Sequence, residues 1–300
     1  MAIKNNNLFC RFFIFLPLFI YFGKRSVVAY DEGFYAIQAR FILEKANWIA
    51  PMWWDSMTND RTIGIQFLLA FSRNIFGDSL FVLYLPIFAS SFLMLFATYH
   101  IHKELFNDKY SFYSPIILSS TFLWISYANM ATQDMIFASI ISFGIASSIK
   151  AYKSYKNIFF LLSGSWIGLA VMFKTYLTVI PLIAITPFLL SSKIAYKKYF
   201  WFGFIIGFLP FLIWSYQYIS LYGFSLYGGI YRKLILLSEN NNFSKSNFYY
   251  LWNFTINIFP WSFLSIVGFL QSFQMNSLKK YFLFFFPLCI ISLLSLFSTK

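Results

Sequence analysis

Three hundred residues that are 59% hydrophobic and 24% aromatic, with 42 Phe and 21 Tyr, carry more large apolar side chains than one soluble core can hide. Apolar runs of about 18 residues recur along the whole length, each long enough to cross a bilayer as a helix. The net charge of +13 could suggest nucleic acid, but the basic residues fall in short loops between apolar runs, as membrane topology requires, so nucleic acid is excluded as a partner.

The first apolar run, 8–22, has the length of a signal-peptide core. Lys24-Arg25 and further apolar residues follow it in place of a small-residue cleavage site, which predicts an uncleaved first span reaching Ala29. Residues 30–79 then form an amphipathic stretch, read as the first outer loop. It opens on Asp31-Glu32, two adjacent carboxylates in a chain with only 11% charged residues. Phe34, Ile37, Phe41 and Ile42 recur at helical spacing, and a second amphipathic piece covers 62–76 before the helix stop Gly77-Asp78. Such helices are expected in the interface plane with the apolar face toward lipid, at a depth that suits Trp48, Trp53 and Trp54.

Further spans are expected at 80–99, 110–127, 135–149, 158–173, 176–190, 199–218 and 253–270, with one more closing the chain. The spacing thus predicts an all-α polytopic membrane protein of about nine transmembrane helices in a single domain, 1–300, with a second outer loop at 219–252. Gly164/Gly168 and Gly203/Gly207 have the small-xxx-small spacing that permits close helix contact. His100 and His102 beside Lys103 read as a solvated basic loop. Cys10 and Cys289 show no metal or disulfide spacing.

Placing the N-terminus in the cytosol leaves most of the positive charge on the inner side. The same placement brings Asp31, Glu32, Asp60, Arg61, Asp134 and Lys174 to the outer surface. Ionisable groups at span ends are costly, and their shared side favours a site.

Four stretches carry a resemblance to the type C membrane glycosyltransferases that use a polyprenyl-phosphate sugar, notably the aminoarabinose–lipid A transferases and dolichyl-phosphate-mannose protein mannosyltransferases. They are Asp31-Glu32-x-x-Tyr35-Ala36 with Arg40; Asp60-Arg61-Thr62-Ile63 leading to Ile75-Phe76-Gly77; Asp134 after Gln133; and Val171-Met172-Phe173-Lys174 followed by Pro181. Phe259-Pro260-Trp261 matches more loosely. Thr62 replaces the family's usual proline and Thr175 its glycine, and the family's C-terminal part is expected to be absent.

The resemblance implies transfer of a sugar from a polyprenyl-phosphate carrier to a lipid, glycan or protein acceptor at the outer, periplasmic face of the inner membrane. The acceptor must lose a proton as it attacks, and the departing phosphate gathers charge. Asp31 is then the candidate base, with Glu32 either sharing that role or orienting a helix end. Arg61, Lys174 and Arg40 are candidates for the phosphate, and Tyr35 belongs to the first motif as a supporting residue. Asp60 and Asp134 either hold these cations in place or, with Asp31, offer oxygens to a divalent metal, which no spacing demonstrates. Two other readings stay open: a lipid-linked glycan transporter or flippase, and a non-catalytic membrane subunit on the same scaffold.

Overall fold

The computed structural model describes residues 26–28, 32–54, 56–106, 110–239 and 249–296. The first expected span, Asp31, Cys10 and the run Asn240, Asn241 and Asn242 lie outside the described residues. The Cα framework divides into two compact units, Met1–Thr58 with Ile63–Ala146, and Asn59–Thr62 with Ser147–Lys300.

In the first unit, α1 (Glu32–Glu44) and α2 (Gly64–Phe76) pack together and α2 packs on α3 (Leu80–Phe106). The inward face of α1 carries Glu32, Tyr35, Gln38, Ala39 and Ile42, so two of its five buried side chains are polar. Each polar one has partners. Gln38 Nε2 donates to Thr58 Oγ1 at 2.7 Å, and Gln66 Nε2 donates to Gln38 Oε1 at 2.8 Å. Phe34, Ile37 and Phe41 stay only partly covered. Phe34 stacks on Trp53 at 4.9 Å and Phe41 meets Trp54 at 5.9 Å. A membrane interface makes that division favourable, because buried polar groups need protein partners while lipid solvates apolar rings. Trp53 comes from a short hairpin, β1 (Met52–Trp53) antiparallel to β2 (Ser56–Met57). At the end of α2, Gly77 takes φ +88, which stops the helix.

The helix α3 continues through His100 and His102 to Phe106, so these histidines are helical rather than part of a loop. His102 Nδ1 bonds Ser114 Oγ at the junction with α4 (Tyr113–Ser119). The expected span at 110–127 is divided there into α4 and α5 (Phe122–Ala128). Three consecutive hydroxyls explain the break. Ser120 Oγ and Thr121 Oγ1 donate back to Ile116 O and Leu118 O, both at 2.8 Å, and Thr121 then caps α5 by accepting from Trp124 N.

Next follow α6 (Gln133–Ser154), α7 (Asn157–Lys174), a 3₁₀ turn (Thr175–Thr178), α8 (Val179–Ser191), α9 (Lys198–Tyr222), α10 (Ser225–Glu239), α11 (Tyr249–Asn257), α12 (Ser262–Ser272) and α13 (Ser277–Ser295). The expected eighth span is divided between α11 and α12 around Pro260, which lacks the N–H a continuing helix needs. Five helical runs among the described residues are long and apolar enough to cross a membrane: Leu80–Phe106, Gln133–Ser154, Asn157–Ser191, Lys198–Tyr222 and Ser277–Ser295. The chain is an all-α, multi-pass membrane protein. Its helices present bare apolar stripes, as on α9, where Phe202, Ile205, Ile206, Leu209 and Ile213 are all exposed.

The tightest packing in the second unit joins α7 to α9. A Cβ added at Gly164 would lie 2.0 Å from Phe200 O, and one at Gly203 would lie 1.9 Å from Leu161 O. Gly168 and Gly207 are equally close to the Phe208 and Ser165 backbones. The two glycine pairs therefore lie in the α7–α9 contact surface, where they let the helix backbones come together.

Candidate functional site: a cation cluster around Asp60

The four residues Asn59–Thr62 belong to the second unit although both flanking stretches belong to the first. Two elements grip them. Tyr218, fully buried on α9, donates its hydroxyl to Asn59 Oδ1. Gly229 on α10 lies against the Asn59 carbonyl, where a Cβ would come within 2.1 Å of the oxygen. After α9 the chain turns at Gly223, φ +66, and α10 is seated by fully buried Leu226 and by a bond between the Tyr227 hydroxyl and Ser215 Oγ.

Helical spacing places residue 233 one turn beyond Gly229 on the same face. Lys233 Nζ accordingly reaches Asp60 Oδ2 at 2.7 Å. Arg61 donates to the same oxygen from Nη2 at 2.9 Å and from Nε at 3.2 Å. One carboxylate oxygen thus serves a guanidinium and an ammonium, while Asp60 Oδ1 is buried with no hydrogen-bond partner among the described residues. All three side chains are mostly covered, with exposures of 36%, 24% and 29% for Asp60, Arg61 and Lys233. Lys174, at the C-terminus of α7, is close enough for its charge to act on Lys233. Thr175 follows it with φ +36 and ψ −107, which ends the α-helical part of that run at the lysine before the 3₁₀ turn.

The electrostatics follow from this geometry. Burial pushes the Asp60 carboxyl up, but the hydrogen bonds and charges of Arg61 and then Lys233 outweigh it, and its pKa lies below the ordinary carboxylate value. Lys233 lies below the ordinary lysine value, first through burial and next through the positive charge of Arg61. Asp60 opposes these effects, and Lys174 adds to them. Among the described residues, three cations thus gather around Asp60. A cation cluster in a partly desolvated recess suits an anion with several oxygens.

The first unit holds Glu32, Tyr35, Arg40 and Asp134, the other described members of the expected site. Glu32 is fully buried at the start of α1. Its Oε2 accepts from Val28 N and its Oε1 from Ala131 N, both at 2.7 Å, so the carboxylate ties the approach to α1 to the turn before α6. Both oxygens are engaged by backbone, the arrangement of a side chain that orients a helix end. Tyr35 is buried one turn further along the same face. Asp134 sits in the first turn of α6, where a carboxylate is favoured by the helix dipole. Arg40 is on the opposite side of α1, exposed, and donates from Nε to Glu44 Oε1 at 2.5 Å. That hydrogen bond, followed by the charge of Glu44, raises the Arg40 pKa. Arg40 also lines a cleft of about 470 Å³ with Arg73 and Asp78, which pair with each other. Among the described residues, no three His, Cys, Asp or Glu side chains gather as a metal cradle.

Asp60, Arg61 and Lys174 were legible from the sequence as charges at the ends of apolar runs. Lys233, Gly229, Asn59 and Tyr218 were not. The only local signal was the spacing of Gly229 and Lys233 in an amphipathic stretch, and nothing in it names a partner more than 170 residues away.

A family model described as dolichyl-phosphate-mannose-protein mannosyltransferase matches residues 60–215, just over half of the chain and inclusive of Asp60, Arg61, Asp134 and Lys174. No curated protein matches the sequence. Among solved structures, ArnT from Cupriavidus metallidurans bound to undecaprenyl phosphate is similar with a TM-score of 0.87 at 14% identity, over 99% of this chain and 56% of that one. The same protein in the apo state is similar with a TM-score of 0.70 at 15% identity, over 98% and 60% of the two chains. The chain therefore spans less than two thirds of the structures it matches, and at these identities the likeness is one of fold.

Proposed function

Because the chain belongs to the dolichyl-phosphate-mannose-protein mannosyltransferase family, we propose that it moves a sugar from a polyprenyl-phosphate carrier to an acceptor hydroxyl or phosphate at the outer face of the membrane. The observation that carries this reading is the cluster of cations around Asp60. Arg61, Lys233 and Lys174 are suited to hold the carrier phosphate, whose polyprenyl tail remains in the bilayer beside the exposed apolar helix faces. The similar ArnT structure bound to undecaprenyl phosphate supports the same class of donor.

In the reaction, an acceptor oxygen attacks the anomeric carbon as the bond from that carbon to the phosphate oxygen breaks. The acceptor proton passes to Asp31, and the charge left on the lipid phosphate is neutralised by the cation cluster. Glu32 acts through position rather than proton transfer, since both of its oxygens already accept backbone N–H groups. Asp60 spaces Arg61 and Lys233 so that the phosphate meets both.

The test is transfer in membranes supplied with radiolabelled polyprenyl-phosphate sugars. Asp31→Asn should reduce transfer by about 100-fold or more, and Arg61→Ala and Lys233→Ala should each weaken undecaprenyl-phosphate binding by about tenfold or more. Transfer at the wild-type rate in Asp31→Asn removes that residue as the base. Binding unchanged in both cation variants removes the cluster as the phosphate site. A wild-type chain that binds undecaprenyl phosphate yet transfers from no such donor would be a carrier-binding subunit.

A further inference from the structure

Two adjacent glycines in α10 differ in one respect. A Cβ on Gly228 would meet nothing within 4 Å, whereas one on Gly229 would lie 2.1 Å from the Asn59 carbonyl oxygen and 2.7 Å from its carbon. The obstacle is backbone, which cannot rotate aside as a side chain could. Asn59 is itself held through its side chain by the buried Tyr218 hydroxyl. Both glycines lower the helix propensity of α10, so neither is there to favour the helix.

We infer that Gly229 is a positioning residue for the carrier phosphate, acting through Lys233. The inference rests on the assignment of the cation cluster to that phosphate. With no side chain at 229, α10 lies directly on the Asn59 carbonyl, and the next turn brings Lys233 onto Asp60, the residue after Asn59, at 2.7 Å. The register of α10 against 59–62 is what converts a lysine on an amphipathic helix into a member of the cluster. A methyl group at 229 lifts the helix by more than an ångström at that point, and the Lys233–Asp60 contact lengthens past hydrogen-bond range.

The experiment measures undecaprenyl-phosphate binding to the full chain in detergent for Gly228→Ala, Gly229→Ala, Lys233→Ala and Lys233→Arg, and for the double variant with Gly229→Ala and Lys233→Arg. Thermal unfolding is followed alongside. Gly228→Ala is expected to bind as wild type. Gly229→Ala is expected to lose about tenfold or more, comparable to Lys233→Ala, as one charge-assisted contact is lost. The longer arm of arginine should recover part of that loss in the double variant, a rescue that a general loss of folding would not show. If Lys233→Ala binds as wild type, the phosphate assignment itself fails. If Lys233→Ala weakens binding but Gly229→Ala matches Gly228→Ala, or if arginine gives no rescue, the assignment stands and the positioning role is overturned.

Discussion

Asp60 and Lys233 both have depressed pKa values, so each makes stability rise with pH between its folded and free values, Asp60 in the acid range and Lys233 in the alkaline range. The ion pairs of Asp60 are complete above the ordinary carboxylate range, and their contribution is lost as pH falls through its lowered folded value. A lysine whose folded pKa is depressed has the same sign of pH dependence, for a different reason. Its charged form is the one folding disfavours, so stability rises as pH climbs from the folded toward the free value. For phosphate binding, Lys233 must be protonated, and the alkaline limit of binding therefore comes below that of a free lysine. Asp60→Asn removes the hydrogen bond and the negative charge that raise Lys233. The alkaline midpoint of undecaprenyl-phosphate binding, followed across pH, should move lower in that variant, and a midpoint that stays or rises contradicts the coupling. Glu32 supplies a second test at this scale. Glu32→Gln keeps size but turns an acceptor into an NH₂ that faces a backbone N–H. Thermal unfolding should show a loss of about 1–3 kcal/mol, and an unchanged melting temperature would remove the bracing role. Glu32 was legible as an unusual charge, but its partners Val28 and Ala131 were not, because backbone donors leave no mark in a sequence.

At the scale of elements, the α7–α9 glycine contact sets the geometry on which the site depends. Lys174 ends α7, and α9 leads directly into α10, which carries Lys233. Gly207→Leu would drive a side chain into the Ser165 backbone, 2.0 Å from where its Cβ begins. Overpacking of this kind costs about 1–3 kcal/mol, read as a lower unfolding midpoint in detergent, and it should weaken undecaprenyl-phosphate binding at the same time. Gly268→Ala, with nothing within 4 Å of the new carbon, should do neither. The small-xxx-small spacing on both helices was visible in the sequence. That the two motifs face each other was not, since either could equally have met another helix. The two divided spans show the same limit. Hydropathy registers Ser119, Ser120 and Thr121 as tolerable in a span, yet their hydroxyls compete for the backbone carbonyls and the helix stops.

For the whole molecule, composition and the spacing of apolar runs were sufficient to give an all-α, multi-pass membrane chain. Lipid imposes those features on any sequence that crosses it, because each span must be apolar and must satisfy its own backbone hydrogen bonds. The charges at span ends were readable for the same reason, standing out as exceptions in an apolar chain. What tertiary structure alone decided is which exceptions meet. Asp60 and Lys233 are 173 positions apart, and they touch because Tyr218 and Gly229 clamp Asn59 between two helices, a contact made of a carbonyl and a missing side chain. Contacts of that kind depend on shape and register, which local patterns of hydrophobicity and charge do not encode.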